Sequence, residues 1–195
     1  MKNLILITIT SVLLVACGQE TLKSDEVIQR EGIVYKVNSQ TPFTGNVERC
    51  ERIRLLGETL EEEEKAECWL DWKASYKDGK QDGLYETYYG GSNPILKSQS
   101  NWKAGELIGT SYSYHKNGRM ETEGNYKNGY KDGRWETFFN EGQLGSVGNY
   151  KNGYKVGIWL HYIEDGRLLR QECWREGNMG QIEEMAKMEK RFSGK

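Results

Sequence analysis

The sequence predicts an all-β fold, a stack of β-hairpin repeats of about two dozen residues each. Three observations predict it. An aromatic-cation-x-Gly step recurs along the chain, a further glycine follows the first four steps at a fixed offset, and Gly (23) and Tyr (12) abound where Pro (2) is nearly absent. Glycine and aromatics without proline are the composition of many short strands joined by tight turns.

The chain opens on a different kind of segment. Lys2 precedes an apolar run from Leu4 to Val15, relieved only by Thr8, Thr10 and Ser11. That run is shorter than the roughly 20 residues needed to span a bilayer, so residues 1–16 read as a signal peptide. Leu14-Val15-Ala16-Cys17 resembles the lipobox of bacterial lipoproteins. The resemblance implies cleavage before Cys17, acylation of its thiol and new amino group, and attachment to a membrane of the cell envelope. Gly18 in place of Asp points to the periplasmic face of the outer membrane where two membranes exist. Stable anchoring takes more than one lipid signal, and lipoproteins carry two or three chains. Residues 17–31 are then the lipidated Cys and a short polar tether.

Charge and cysteines bound the partners. A formal net charge of −2 gives no case for nucleic acid, which calls for a clearly basic domain. Beyond Cys17 stand Cys50, Cys68 and Cys173, an odd number in an oxidising compartment. Cys50 and Cys68 flank one insertion at 51–67 and form the candidate disulfide, with Cys173 free; a link to Cys173 is the alternative. Closing the 50–68 loop would stabilise the fold by about 3 kcal/mol on the chain-entropy model.

The repeat steps are Tyr76-Lys77-Asp78-Gly79, Trp102-Lys103-Ala104-Gly105, Tyr126-Lys127-Asn128-Gly129, Tyr150-Lys151-Asn152-Gly153 and Trp174-Arg175-Glu176-Gly177, spaced 26, 24, 24 and 24 residues apart. Gly83, Gly109, Gly133 and Gly157 follow four residues after the first four step glycines, and Tyr85, Trp135 and Trp159 come two further on, with Ser111 in the remaining unit. Trp135, Thr137 and Phe139 alternate with Arg134, Glu136 and Phe138, the period of a strand. Asn-Gly and Asp-Gly close hairpins because their residues tolerate positive φ. Two positions before each leading aromatic is a small residue, Ala74, Ser100, Gly124 or Gly148. A ring from a neighbouring strand is expected over that gap. The fifth unit has Glu172 there, as suits a terminal repeat.

These units resemble the MORN-repeat variant found in many bacterial lipoproteins, including the YwqK-type antitoxin family. The motif is clear from Tyr76 onward, and Gly32 to Val47, ending in Thr41-Pro42-Phe43-Thr44-Gly45, resembles the half-repeat that opens such arrays. The resemblance implies an elongated single-layer antiparallel sheet over 32–177. After it, Gln181 to Phe192 places Ile182, Met185, Ala186, Met188 and Phe192 near one helix side. A C-terminal capping helix and tail over 178–195 is expected to cover the last sheet edge.

No nucleophile, base and acid stand together, so neither an enzyme nor a cofactor is expected. His115 and His161 occupy different repeat positions, and Asp78, Asp82, Asp132 and Asp165 precede glycines, where turn chemistry explains them without calcium. Two candidate binding sets remain. One is the second-face rings Tyr88, Tyr114, Phe138 and Tyr162. The other is the cation column Lys77, Lys103, Lys127, Lys151 and Arg175 along one edge, reinforced by Lys131 and Lys155. The expected function is a membrane-anchored scaffold that binds a protein or envelope polymer, in one version as an antitoxin or immunity protein by family analogy. The alternative is binding of anionic lipid through the basic edge.

Overall fold

The computed structural model describes residues 19–52, 68–175 and 178–179. The leader, Cys17, residues 53–67 of the insertion and the expected helix at 181–192 lie outside the described residues. The strands are β1 Thr21–Lys23, β2 Val27–Arg30, β3 Ile33–Lys36, β4 Gly45–Arg52, β5 Cys68–Lys77, β6 Lys80–Tyr89, β7 Ile95–Lys103, β8 Glu106–Tyr114, β9 Met120–Lys127, β10 Tyr130–Phe138, β11 Leu144–Lys151, β12 Tyr154–Tyr162, β13 Leu168–Arg175 and β14 Asn178–Met179. The fold is all-β, as the repeat predicts. Twelve strands form one open sheet in the order β1-β4-β5-β6-β7-β8-β9-β10-β11-β12-β13-β14, and β2 and β3 form a separate ribbon. Among the described residues every pairing is antiparallel except that of β1 with β4.

Glycine geometry sets the repeat. At each hairpin tip the residue before the step glycine takes positive φ (Asp78, Ala104, Asn128 and Asn152 at 50–51°), followed by the glycine itself. The tip then reaches back to the preceding unit. The amides of Gly79, Gly105, Gly129 and Gly153 donate to the carbonyls of Phe43, Gln81, Leu107 and Lys131 at 2.7–3.0 Å. The acceptor strand must bend to present those carbonyls. Between Tyr126↔Lys131 and Gly124↔Trp135 the pairing spends four steps on β10 for two on β9, and Gly133 turns with φ +83° inside that bulge. The same offset recurs at Gly83, Gly109 and Gly157. The paired glycines of each unit thus have distinct tasks, one to turn the hairpin and one to bend the next strand toward its neighbour.

Two segments differ from expectation. Residues 19–31 are folded where a tether was expected: β1 pairs with β4, β2 pairs with β3, and Leu22, Val34, Phe43 and Val47 bury themselves against Val27, Trp72 and Tyr76. The open end of a single-layer sheet exposes both apolar side chains and edge hydrogen-bonding groups, and the N-terminal residues cover this one. Beyond the last step, residues 178–179, expected to begin the helical cap, are instead a strand on the edge of β13.

Candidate binding surface

One sheet face carries the aromatic repeat positions. Trp135 and Trp159 are buried to 7% and 4% exposure, each over a glycine of the neighbouring strand, Gly124 and Gly148 respectively. Their indole N–H groups donate to the carbonyls of Asn125 and Asn149. The leading aromatics stand between them edge-on: centroids lie 5.2 Å apart for Tyr126–Trp135, 5.8 Å for Trp135–Tyr150 and 5.0 Å for Tyr150–Trp159. Trp72, Tyr85 and Trp102 make a second run at 6.2 and 6.5 Å. Between the runs sits Ser111, where the other units have a ring.

Beside the rings runs a row of paired hydroxyls. Thr87 bonds Ser98 at 2.6 Å, Ser113 bonds Thr122 at 2.8 Å and Thr137 bonds Ser146 at 2.8 Å. Such cross-strand pairs stabilise a sheet by about 0.2–1 kcal/mol each. Half-buried apart from the buried Ser146, they also offer a line of donors and acceptors, and the Ser113 hydroxyl lies 3.0 Å from the Glu121 carboxylate as well. In the last full unit His161 takes the corresponding place, opposite Arg170. A shallow groove of about 250 Å³ follows this face, lined among others by Ser111, Ser113, Thr122, Lys131 and Trp135.

Two lysines lie on the rings. Lys131 Nζ is 4.0 Å from the Trp135 centroid and 5.1 Å from that of Tyr150. Lys155 repeats the arrangement over Trp159 and Trp174 at 4.4 and 4.9 Å. Burial, and then the charge of Lys155, hold the Lys131 ammonium below its ordinary pKa. These side chains therefore do not reinforce the edge column, because their apolar stems and charged heads both gain from covering the indoles. Gln81 and Leu107 hold the equivalent positions opposite Tyr76 and Trp102.

At the far end Glu172 fills the small-residue slot. Its carboxylate accepts from Trp174 Nε1 at 3.0 Å and lies 3.0 Å from Arg170, 3.2 Å from His161 and 3.6 Å from Lys155. His161 Nε2 is off the line of a hydrogen bond, so its attraction to Glu172 depends on its own charge. Burial pushes the Glu172 pKa up, but the Trp174 and His161 contacts and the Lys155 charge together bring it below the ordinary value.

The residues singled out from the sequence fall in separate places. Tyr88, Tyr114, Phe138 and Tyr162 lie on the opposite face, half-buried, facing Leu96, Met120, Leu144 and Leu168 across their strands. Burial, then a hydrogen bond to Glu86, pushes the Tyr88 hydroxyl up to about 12. Lys77, Lys103, Lys127, Lys151 and Arg175 each end a strand and are exposed, forming the edge column. Asp82 breaks that column by pairing with Lys103 at 3.2 Å while accepting the Ala104 amide. Cys50 is disulfide-bonded and Cys173 is a free thiol; the side chain of Cys68, like Cys17, lies outside the described residues. His115 bonds the Phe138 carbonyl at 2.9 Å, a link between units. Asp165 and Asp82 accept backbone amides, and among the described residues no cluster of His, Cys, Asp and Glu could hold a metal ion.

Sequence reasoning missed the hydroxyl row and the lysine caps. Both have a signal in the repeat, since a hydroxyl recurs at Thr87, Ser113 and Thr137, and Lys131 and Lys155 share one repeat position.

No family model matches the chain. No curated protein matches it either. Among solved structures, a chain described as "Crystal structure of GtfA/B complex bound to UDP and GlcNAc" is similar at 18% identity and a TM-score of 0.33, over 63% of this chain and 25% of that one. The chain thus spans about a quarter of that structure's length. A likeness this slight carries no argument about function. Among the described residues no helix is long and apolar enough to cross a membrane.

Proposed function

We propose that this chain is a lipid-anchored, non-enzymatic scaffold of the bacterial cell envelope, whose ring-and-hydroxyl face binds an extended partner, either protein or envelope polymer. One observation supports this above the others. The hydroxyl pairs Thr87–Ser98, Ser113–Thr122 and Thr137–Ser146 repeat in register along one face. A partner with its own repeat could meet the same contacts unit after unit, and linked weak contacts add up to useful avidity.

Sedimentation with isolated envelope sacculi tests the reading. The full-length chain in detergent would be mixed with sacculi that keep their attached proteins and with sacculi stripped by protease, which separates a protein partner from the polymer. The chain is expected to pellet with at least one preparation. Ser113→Ala with Thr137→Val should reduce that fraction several-fold, while Tyr114→Leu with Tyr162→Leu on the opposite face should not. No pelleting, or pelleting indifferent to the hydroxyl face, contradicts the proposal.

The second reading, binding of anionic lipid, is favoured by the alignment of Lys77, Lys103, Lys127, Lys151 and Arg175 on one edge. It predicts vesicle binding that weakens steeply with salt and disappears in a Lys127→Gln, Lys151→Gln variant.

A further inference from the structure

The geometry points to a carboxylate-bearing polysaccharide as the partner of the ring-and-hydroxyl face, held through Lys131 and Lys155. This assignment rests on that face being the binding surface and goes on to name the ligand's chemistry.

Charge is the first argument. Among the described residues no carboxylate pairs with Lys131, although its ammonium is half-buried against Trp135 and Tyr150. Desolvation and the neighbouring Lys155 charge both weigh against its protonated form. A carboxylate beside the Lys131 ammonium offsets both, because a partly buried cation gains most from a counter-ion. Among the described residues Lys155 has one carboxylate neighbour, Glu172, at 3.6 Å, and shares it with Arg170 and His161.

The surroundings of these cations favour a sugar. Around Lys131 the groove is lined by Ser111, Ser113, Thr122, Thr137 and Trp135. Hydroxyl pairs and aromatic carbon, with the Glu121 carboxylate held on Ser113, suit a ligand that is itself mostly hydroxyl and C–H, with isolated negative charges that can keep to the lysines. That describes an acidic sugar better than a phosphate-dense polymer or an acidic peptide. Ser111 leaves open the slot that a ring fills in the other units.

Spacing is the third. Lys131 on β10 and Lys155 on β12 are two strands apart, about 10 Å along the sheet, and the hydroxyl pairs advance by the same step. An extended pyranose chain with an acid on every second sugar, running across the strands, advances by a comparable length per disaccharide, so its successive carboxylates fall in phase with the repeat.

Calorimetric titration of the full-length chain in detergent tests the assignment, with a hyaluronan hexasaccharide, which bears a glucuronate on every second sugar, as the anionic probe and cellohexaose as the neutral one. The uronate is expected to bind and the neutral hexamer to bind at least tenfold more weakly. Lys131→Met with Lys155→Met, which keeps an apolar cover over the indoles, should lower uronate affinity at least tenfold. Lys131→Arg with Lys155→Arg should retain it, and an unchanged urea midpoint in both variants separates lost charge from lost fold. Equal binding of both probes, insensitive to the methionine variant, overturns the assignment while leaving the face as the binding surface. Uronate binding abolished instead by Lys127→Gln with Lys151→Gln overturns the face reading as well. No binding of either hexamer overturns the assignment alone, since sacculi test the face independently.

Discussion

The indole of Trp135 lies directly over the backbone of Gly124 on the adjacent strand, so that a Cβ at position 124 would overlap ring atoms Cδ2, Cε2 and Cε3. Gly124 is needed for space and not for backbone freedom, since its φ is not among the positive ones. Gly124→Ala should therefore destabilise the fold by about 1–3 kcal/mol, the usual cost of overpacking. Gly118→Ala makes a useful contrast, because that glycine turns at φ +82° with open space around it, and its cost is conformational, about 1 kcal/mol. Paired with Trp135→Leu, Gly124→Ala should lose most of its penalty and Gly118→Ala should keep all of its own. Urea unfolding of the three single and two double variants checks this double-mutant comparison.

Glu172 makes stability pH-dependent at the C-terminal end. Its folded pKa lies below the ordinary 4.5. A carboxyl of this kind contributes stability above its unfolded pKa and loses it as pH falls through the folded value. Wild-type stability should decline on acidification across that window, and Glu172→Gln should flatten the decline while lowering stability at neutral pH. Urea midpoints measured from pH 7 down to about 3 decide the matter; an unchanged slope in the variant would show that other carboxylates carry the effect.

Much of this was legible in the sequence because it is local. The 24-residue step, the Asp/Asn-Gly tips and the ring-over-gap pairing of Trp135 with Gly124 all follow from spacing and strand alternation. What could not be read depends on register or on distant contact. The Thr137–Ser146 bond requires knowing which residues face each other across a hairpin, and the bulge at Gly145, between Phe138↔Leu144 and Thr137↔Ser146, shifts that count by one. Thr21–Lys23 looks like a polar tether in isolation; only its pairing with Asn46, Val47 and Glu48 makes it a strand. Lys131 and Lys127 look alike in sequence, yet one covers an indole and the other faces water. The choice is made by a ring that the fold brings to one of them.

The proposed lipid anchoring rests on Cys17. Cys17→Ala should abolish metabolic fatty-acid labelling and accumulate an uncleaved precursor that is larger by gel mobility. Labelling that persists in the variant would remove the lipid attachment from the account.

The central claim is that the repeats form a linear array, each stabilised by its own packing and by its immediate neighbours. Trp135 is flanked on both sides by Tyr126 and Tyr150 and is 7% exposed. Trp174, in the last and incomplete unit, is half-buried and held by Glu172 and Lys155. Truncating a buried Trp typically costs about 3–5 kcal/mol, a large part of a domain's stability. The decisive measurement is the urea midpoint of Trp135→Ala against that of Trp174→Ala, with the disulfide intact. A linear array predicts a distinctly larger loss for Trp135→Ala. Equal losses, or a larger loss at Trp174, would contradict it and place the stabilising core at the C-terminal end of the chain.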